Sequence, residues 1–180
     1  MSGSKKPIEV SADFLDAFLS AIGDGAGKEV VKRVVSRFED SGLPIKCKRY
    51  DAPCMIGVFR ILCYVRKSAE AVVINSKGMG RDSLSVQMRI EDRGSLDRLD
   101  RLSPNIRERI LSAADCRNCS ADCAGGKYEF SYNGVDYVKC RVFSVNFLFQ
   151  DFADEDIESM LRLVDCEIAY KRPRGKPQAI

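Results

Sequence analysis

A hairpin turn constrains the geometry of the C-terminal third of this chain. Asn133 and Gly134 stand between two segments in which apolar or aromatic residues alternate with polar ones. Asn-Gly is typical of a two-residue type I′ turn, since both of its positions need positive φ, and the flanking alternation predicts two antiparallel strands. Such a turn also sets the strand register, so that Lys127, at the start of the first strand, is expected opposite Cys140, at the end of the second.

Four of the eight cysteines are near the open end of this hairpin. Three of them precede the first strand in a Cys-x₂-Cys-x₃-Cys pattern, and the predicted register returns the fourth to the same end. Four thiolates therefore converge at one end of a two-stranded ribbon, and tetrahedral zinc binds such a set at about 2.3 Å from each sulfur. We predict one structural zinc site, closed to further ligands, made of Cys116, Cys119, Cys123 and Cys140.

Other uses of the same four cysteines stay open. They would also hold an iron–sulfur cluster or serve thiol redox chemistry, although their order of spacings reverses that of radical-SAM enzymes and lacks the ferredoxin run. Disulfides or unliganded thiols are a further alternative. Among the remaining cysteines, Cys63 and Cys166 lie in apolar patterns and are expected to be small buried hydrophobes. Cys47 and Cys54 flank a basic segment, whose cations would lower the pKa of a thiol.

The absence of histidine narrows the functional classes. It excludes Ser-His-Asp triads, Cys-His dyads and zinc sites with histidine ligands within this chain. The glycine-rich segment at residues 23–28 lacks both the first glycine and the final Ser or Thr of a phosphate-binding loop. Because no other catalytic constellation emerges, the sequence favours a noncatalytic module that binds a ligand or a macromolecule.

Hydrophobic periodicity predicts an α+β fold. Helical spacing of apolar residues predicts helices around residues 14–22, 30–38, 104–111 and 154–168. Alternating or continuous apolar stretches predict strands around residues 45–50, 55–65, 70–75, 83–91 and 142–149. Since consecutive strands are joined by short turns, we expect an antiparallel sheet with helices packed mainly on one face, extended by the metal-stapled hairpin and the C-terminal helix.

The same patterns predict three parts along the 180 residues. Residues 1–114 are expected to form an α+β body, and residues 115–170 a Cys-rich hairpin–strand–helix module packed on that body. Residues 171–180 are expected to form a basic flexible tail, because they are rich in Lys, Arg, Pro and Gly and carry no acidic residue.

Charge and hydropathy bear on compartment and partners. No apolar stretch follows Lys5 and Lys6 directly, and no uncharged run reaches the roughly 18 residues that a membrane span needs. We therefore expect a cytoplasmic protein with reduced thiols and no membrane contact. The net charge is +3, but residues 7–170 carry more acidic than basic side chains. Nucleic acid is therefore expected only through the basic tail residues Lys171, Arg172, Arg174 and Lys176.

One resemblance concerns roughly the last third of the chain. The motif comprises Cys116-Arg117-Asn118-Cys119, Cys123 and Tyr132-Asn133-Gly134-x-x-Tyr137-x-Lys139-Cys140, with Phe147, Phe149 and Glu155-Asp156 after it. This pattern resembles a Cys-rich segment of small uncharacterised bacterial and archaeal proteins. The resemblance implies a recurring metal-binding module attached to variable α+β domains, and it carries no assigned activity.

Overall fold

The structure is a computed structural model that describes residues 10–23, 25–50, 57–66, 69–77, 83–116, 126–140 and 147–171. Five α-helices lie in this part of the chain: α1 (Ala12–Ser20), α2 (Ala26–Asp40), α3 (Arg93–Leu96), α4 (Pro104–Leu111) and α5 (Asp154–Lys171). The strands are β1 (Ile45–Tyr50), β2 (Val58–Arg66), β3 (Ala69–Asn75), β4 (Ser85–Met88), β5 (Lys127–Tyr132), β6 (Val135–Cys140) and β7 (Phe147–Phe149). Among the described residues, none of the helices has the length and apolar character that crossing a membrane requires.

The strands form two antiparallel sheets. Five strands pair in the order β1-β2-β3-β4-β7, and β5 and β6 pair with each other. The predicted α+β class with an antiparallel sheet is therefore confirmed. The strand expected over residues 83–91 is shorter, since β4 ends at Met88. The strand expected over residues 142–149 is described only as β7, because residues 141–146 lie outside the described residues.

One face of the five-stranded sheet is the core face. Side chains alternate between the two faces of a strand, so directly opposed residues in neighbouring strands point the same way. The apolar residues that share this face and are buried are Ile45, Ile61, Cys63, Val72, Ile74, Val86, Met88, Phe147 and Phe149. The other face carries both polar and apolar residues; the polar ones are Lys46, Lys48, Arg60, Asn75, Ser85 and Gln87, and the apolar ones include Leu62, Val73 and Leu148.

Helices α2 and α5 pack into the same core as this face of the sheet. Their buried stripes are the ones that helical spacing predicts, Val30, Val31, Val34, Val35 and Phe38 in α2 and Ile157, Met160, Leu161, Val164 and Ile168 in α5. Ion pairs also join the exposed edges of the two helices, Arg33 to Glu158 at 2.7 Å and Arg37 to Asp165 at 3.2 Å. Since β7 and α5 belong to the module predicted over residues 115–170, that module and the body share one core.

A buried carboxylate joins the starts of α4 and α5. Asp156 is fully buried and accepts hydrogen bonds from Ser103 Oγ, from Asn105 Nδ2 at 2.8 Å and from the backbone N–H of Ala153 at 2.9 Å. Ser103 precedes Pro104 as a helix N-cap would, but its hydroxyl donates to Asp156 and makes no cap bond within α4. This network fixes α5, and with it the end of the module, against α4.

Candidate metal centre

The hairpin has the register that its turn residues predict. Asn133 and Gly134 both have positive φ, 49° and 75°, as a type I′ turn requires. The opposed pairs are Lys127 with Cys140, Tyr128 with Lys139, Phe130 with Tyr137, and Tyr132 with Val135. Cys140 therefore lies beside the first residue of β5, and its side chain is buried.

An aromatic face anchors the hairpin to the rest of the fold. Tyr128 and Phe130 are buried, and the Tyr128 ring lies 5.3 Å from that of Phe147 in β7. The Phe130 and Tyr137 rings stack at 5.3 Å. Because these aromatic side chains point into the core, the open end of the ribbon that carries Cys140 is held in place.

The chain before the hairpin pairs with the free edge of β6. The backbone N–H of Cys116 donates to the Val138 carbonyl at 2.8 Å, and that of Cys140 donates to the Ala114 carbonyl at 2.9 Å. These two bonds frame an antiparallel bridge between Asp115 and Lys139. Cys116 is thus opposite Val138, so Cys116 and Cys140 lie on the same face of adjacent chain segments, offset diagonally. No turn or periodicity signal in the sequence indicates this third segment.

A buried lysine holds the added segment on its other face. Lys139 Nζ donates to Asp115 Oδ1 at 2.7 Å, with its side chain 6% exposed against 75% for Asp115. The Lys139 ammonium also lies 5.3 Å from the centre of the Tyr137 ring. Sequence reasoning missed both partners, because their contact depends on the bridge between residues 115 and 139.

Lys127 places a cation on the cysteine side of the ribbon. Its ammonium lies 2.7 Å from Glu129 Oε1. The pKa of Lys127 is raised, first by this hydrogen bond, then by the charge of Glu129, and to a smaller extent by the proximity of Cys116. Lys127 thus lies near Cys116 as well as opposite Cys140.

Two of the four predicted ligands lie in the described part of the chain, and the structure puts them on one face. Cys116 is half-buried and Cys140 is buried, and both are free thiols. Cys119 and Cys123 lie outside the described residues. Within the described ranges no three Cys, Asp or Glu side chains come together as a metal-binding group. The four-cysteine site stays a prediction.

The other cysteines have distinct environments. Cys63 is fully buried on the core face of β2, as its apolar pattern predicts, and Cys166 is half-buried in α5. Burial, and after it the nearby charge of Glu39, raises the pKa of the Cys47 thiol to about 11. The low thiol pKa expected beside the basic segment is therefore wrong for Cys47, because β1 turns this side chain towards the core. Cys54 lies outside the described residues.

Most of the basic residues at the C-terminal end lie outside the residues that the structure describes. Lys171 is the last residue of α5, and Arg172, Arg174 and Lys176 follow outside the described residues.

No family model, curated protein or solved structure matches this chain.

Proposed function

We propose that this protein is a noncatalytic cytoplasmic binding module whose C-terminal hairpin is stapled by structural zinc. The ligands in this proposal are Cys116, Cys119, Cys123 and Cys140. The observation that carries it is the backbone pairing of residues 114–116 with β6, which brings Cys116 onto the same face as Cys140.

The geometry favours a structural site over a catalytic one. A site closed by four thiolates has no open coordination position for a substrate or a reactive water. The segment that carries Cys116 is also paired to β6 and tied down by the Asp115–Lys139 ion pair. A metal at this place would crosslink the ribbon to the chain that enters it, and this is what structural zinc does in small modules.

The remaining parts of the proposal follow from the thiols and the charges. Cysteines that hold zinc must be reduced, which fits the cytoplasm better than an oxidising compartment. A four-cysteine zinc site is also what the resemblance of the C-terminal third to a recurring metal-binding module implies. Contact with nucleic acid is confined to the basic C-terminal end, and loss of heparin retention on removal of residues 171–180 would support it.

Elemental analysis of the purified protein tests the zinc site. We expect about one zinc per chain, with loss of metal in Cys116→Ser and in Cys140→Ser. Cys166→Ser is the matched control, because that thiol lies in α5 and not in the cluster. Metal retained in both cluster variants, or a metal-free protein that keeps its stability in a chelator, would overturn the proposal.

The iron–sulfur alternative has its own signature. A brown protein with visible charge-transfer absorption and stoichiometric iron would favour a cluster on the same cysteines. A colourless protein with stoichiometric zinc would favour the structural site.

A further inference from the structure

A row of polar side chains crosses four strands on the sheet face opposite the core. Lys48 in β1 is opposite Arg60 in β2, Arg60 is opposite Asn75 in β3, and Asn75 is opposite Ser85 in β4. Directly opposed residues share a face, so these four side chains form a line, with neighbouring strands about 4.8 Å apart. The line ends in two cations at the β1 side.

The row is a hydrogen-bonded network. Arg60 Nε donates to Asn75 Oδ1 at 2.6 Å, and Asn75 Nδ2 donates to Ser85 Oγ at 3.4 Å. Arg60 Nη1 donates to the Tyr50 hydroxyl at 3.4 Å, and the guanidinium carbon lies 5.0 Å from the centre of the Tyr50 ring. The guanidinium is thus fixed by two hydrogen bonds and by an aromatic ring.

The inner end of this row is buried although it is polar. Asn75 is 5% exposed and Ser85 is 1% exposed. Burial of an amide or a hydroxyl carries a free-energy cost that its hydrogen bonds only offset. Buried polar groups of this kind are expected where a sequence serves function rather than stability. In this row the buried amide and hydroxyl hold Arg60 in one orientation.

The outer end of the row carries positive charge that the described protein does not neutralise. Arg60 is half-buried and Lys48 is exposed, and no carboxylate among the described residues forms an ion pair with either one. A guanidinium has five N–H donors, of which the bonds to Asn75 and Tyr50 use two. Further donors therefore remain for a ligand, beside an ammonium group from the next strand.

We propose that Lys48, Arg60 and the Tyr50 hydroxyl bind the phosphate group of a small phosphorylated molecule. A planar guanidinium held in one orientation recognises phosphate oxygens through paired N–H donors, and an adjacent ammonium adds a second positive charge for a dianion. This inference names a ligand class for the binding role proposed above and rests on that role. It does not depend on the zinc site.

A titration followed by ¹⁵N NMR tests this site, with inorganic phosphate as the first probe, a nucleoside monophosphate as the second and a single-stranded oligonucleotide as the third. We expect saturable shifts of the Arg60 Nε–H resonance and of the Lys48 and Tyr50 amides with the first two probes. Lys48→Gln is expected to weaken binding about tenfold, since it removes one charge-assisted contact.

Lys46→Gln is the matched control. This substitution removes the same charge as Lys48→Gln, from the same strand and the same face. Lys46, however, is opposite Leu62, and its ammonium lies over the Tyr64 ring. A change of less than about twofold is expected there, because this ammonium is not a member of the proposed site and would act only as an exposed charge without direct contact. Equal losses of phosphate affinity in the two variants would mean that the protein attracts phosphate only through its general charge, which would overturn a specific site. An absence of saturable shifts at Arg60 would also overturn the site. Binding of the oligonucleotide alone would overturn the ligand class.

Zinc content measured on the same samples separates the two proposals. Phosphate binding that fails while zinc is retained refutes only the inference about the sheet. Loss of zinc in the cysteine variants with phosphate binding intact supports both.

Discussion

Replacing Asp115 by Asn tests how the cysteine-bearing segment is held to the hairpin. The Asp115 carboxylate accepts from the buried Lys139 ammonium at 2.7 Å. In the variant Asp115→Asn the charge is lost while shape is nearly kept, so Lys139 stays buried without its counter-charge. We expect a less stable protein that also releases zinc to a chelator faster, because Cys116 directly follows Asp115 in the chain.

The exposures of the two side chains set the magnitude. An exposed ion pair contributes about 0.2–1 kcal/mol, whereas breaking a fully buried one costs about 3–5 kcal/mol. Lys139 is 6% exposed and Asp115 is 75% exposed, so water screens one partner and not the other. The amide of Asn also keeps one hydrogen-bond acceptor for Lys139. We therefore expect a loss of about 1–2 kcal/mol in the free energy of unfolding.

A double-mutant cycle measured by urea denaturation checks this value. Lys139→Met removes the buried charge at similar volume, so Asp115→Asn should cost close to nothing in that background. Asp97→Asn, which neutralises an exposed carboxylate, controls for the change in net charge. Equal losses from Asp115→Asn in both backgrounds would refute the pairing and with it the argument for how the segment is held.

Three further outcomes follow from the fold. Gly134→Ala should cost about 1–2 kcal/mol in urea denaturation, since φ at this turn position is +75°, and an unchanged midpoint would contradict the turn. Asp156→Ala should cost about 2–4 kcal/mol, because it leaves the half-buried donors Ser103 and Asn105 without a charged acceptor; a loss below that of Gly134→Ala would contradict the network. Cys47 should react slowly with iodoacetamide at neutral pH, because its pKa is raised from 9.0 to about 11. Since the neutral thiol is the form favoured in the folded state, its stabilising effect is present below pH 9 and is lost as the pH rises towards 11. If the free energy of unfolding stayed constant over this pH range, as in Cys47→Ala, the burial of the Cys47 thiol would be contradicted.

The sequence alone determined the features that depend on local rules. Asn133-Gly134 specified both the turn and the register that pairs Lys127 with Cys140, because a two-residue turn leaves no freedom in strand alignment. Helical spacing identified the buried stripes of α2 and α5, since burial of one helix face follows directly from the period of 3.6 residues. Alternation around β1 and β4 indicated half-buried strands, with Val86 and Met88 on the apolar face.

Only the tertiary structure decided which distant segments meet. Residues 114–116 pair with the free edge of β6, and Lys139 donates to Asp115. Nothing in the sequence of either segment indicates that the two would pair. The Ser103 hydroxyl donates to Asp156 in the first turn of α5 and makes no cap bond within α4, because the starts of α4 and α5 are packed together.

The same limit applies to the polar row on the sheet. Arg60, Asn75 and Ser85 are separate polar residues in three strand sequences, and they become one network only when the strands are aligned. Register between strands joined by longer connections depends on how the whole sheet packs against its helices, whereas a two-residue turn fixes register by itself. The sequence therefore determined the frame of the hairpin, and tertiary packing decided the contacts that bring the cysteines and the cations together.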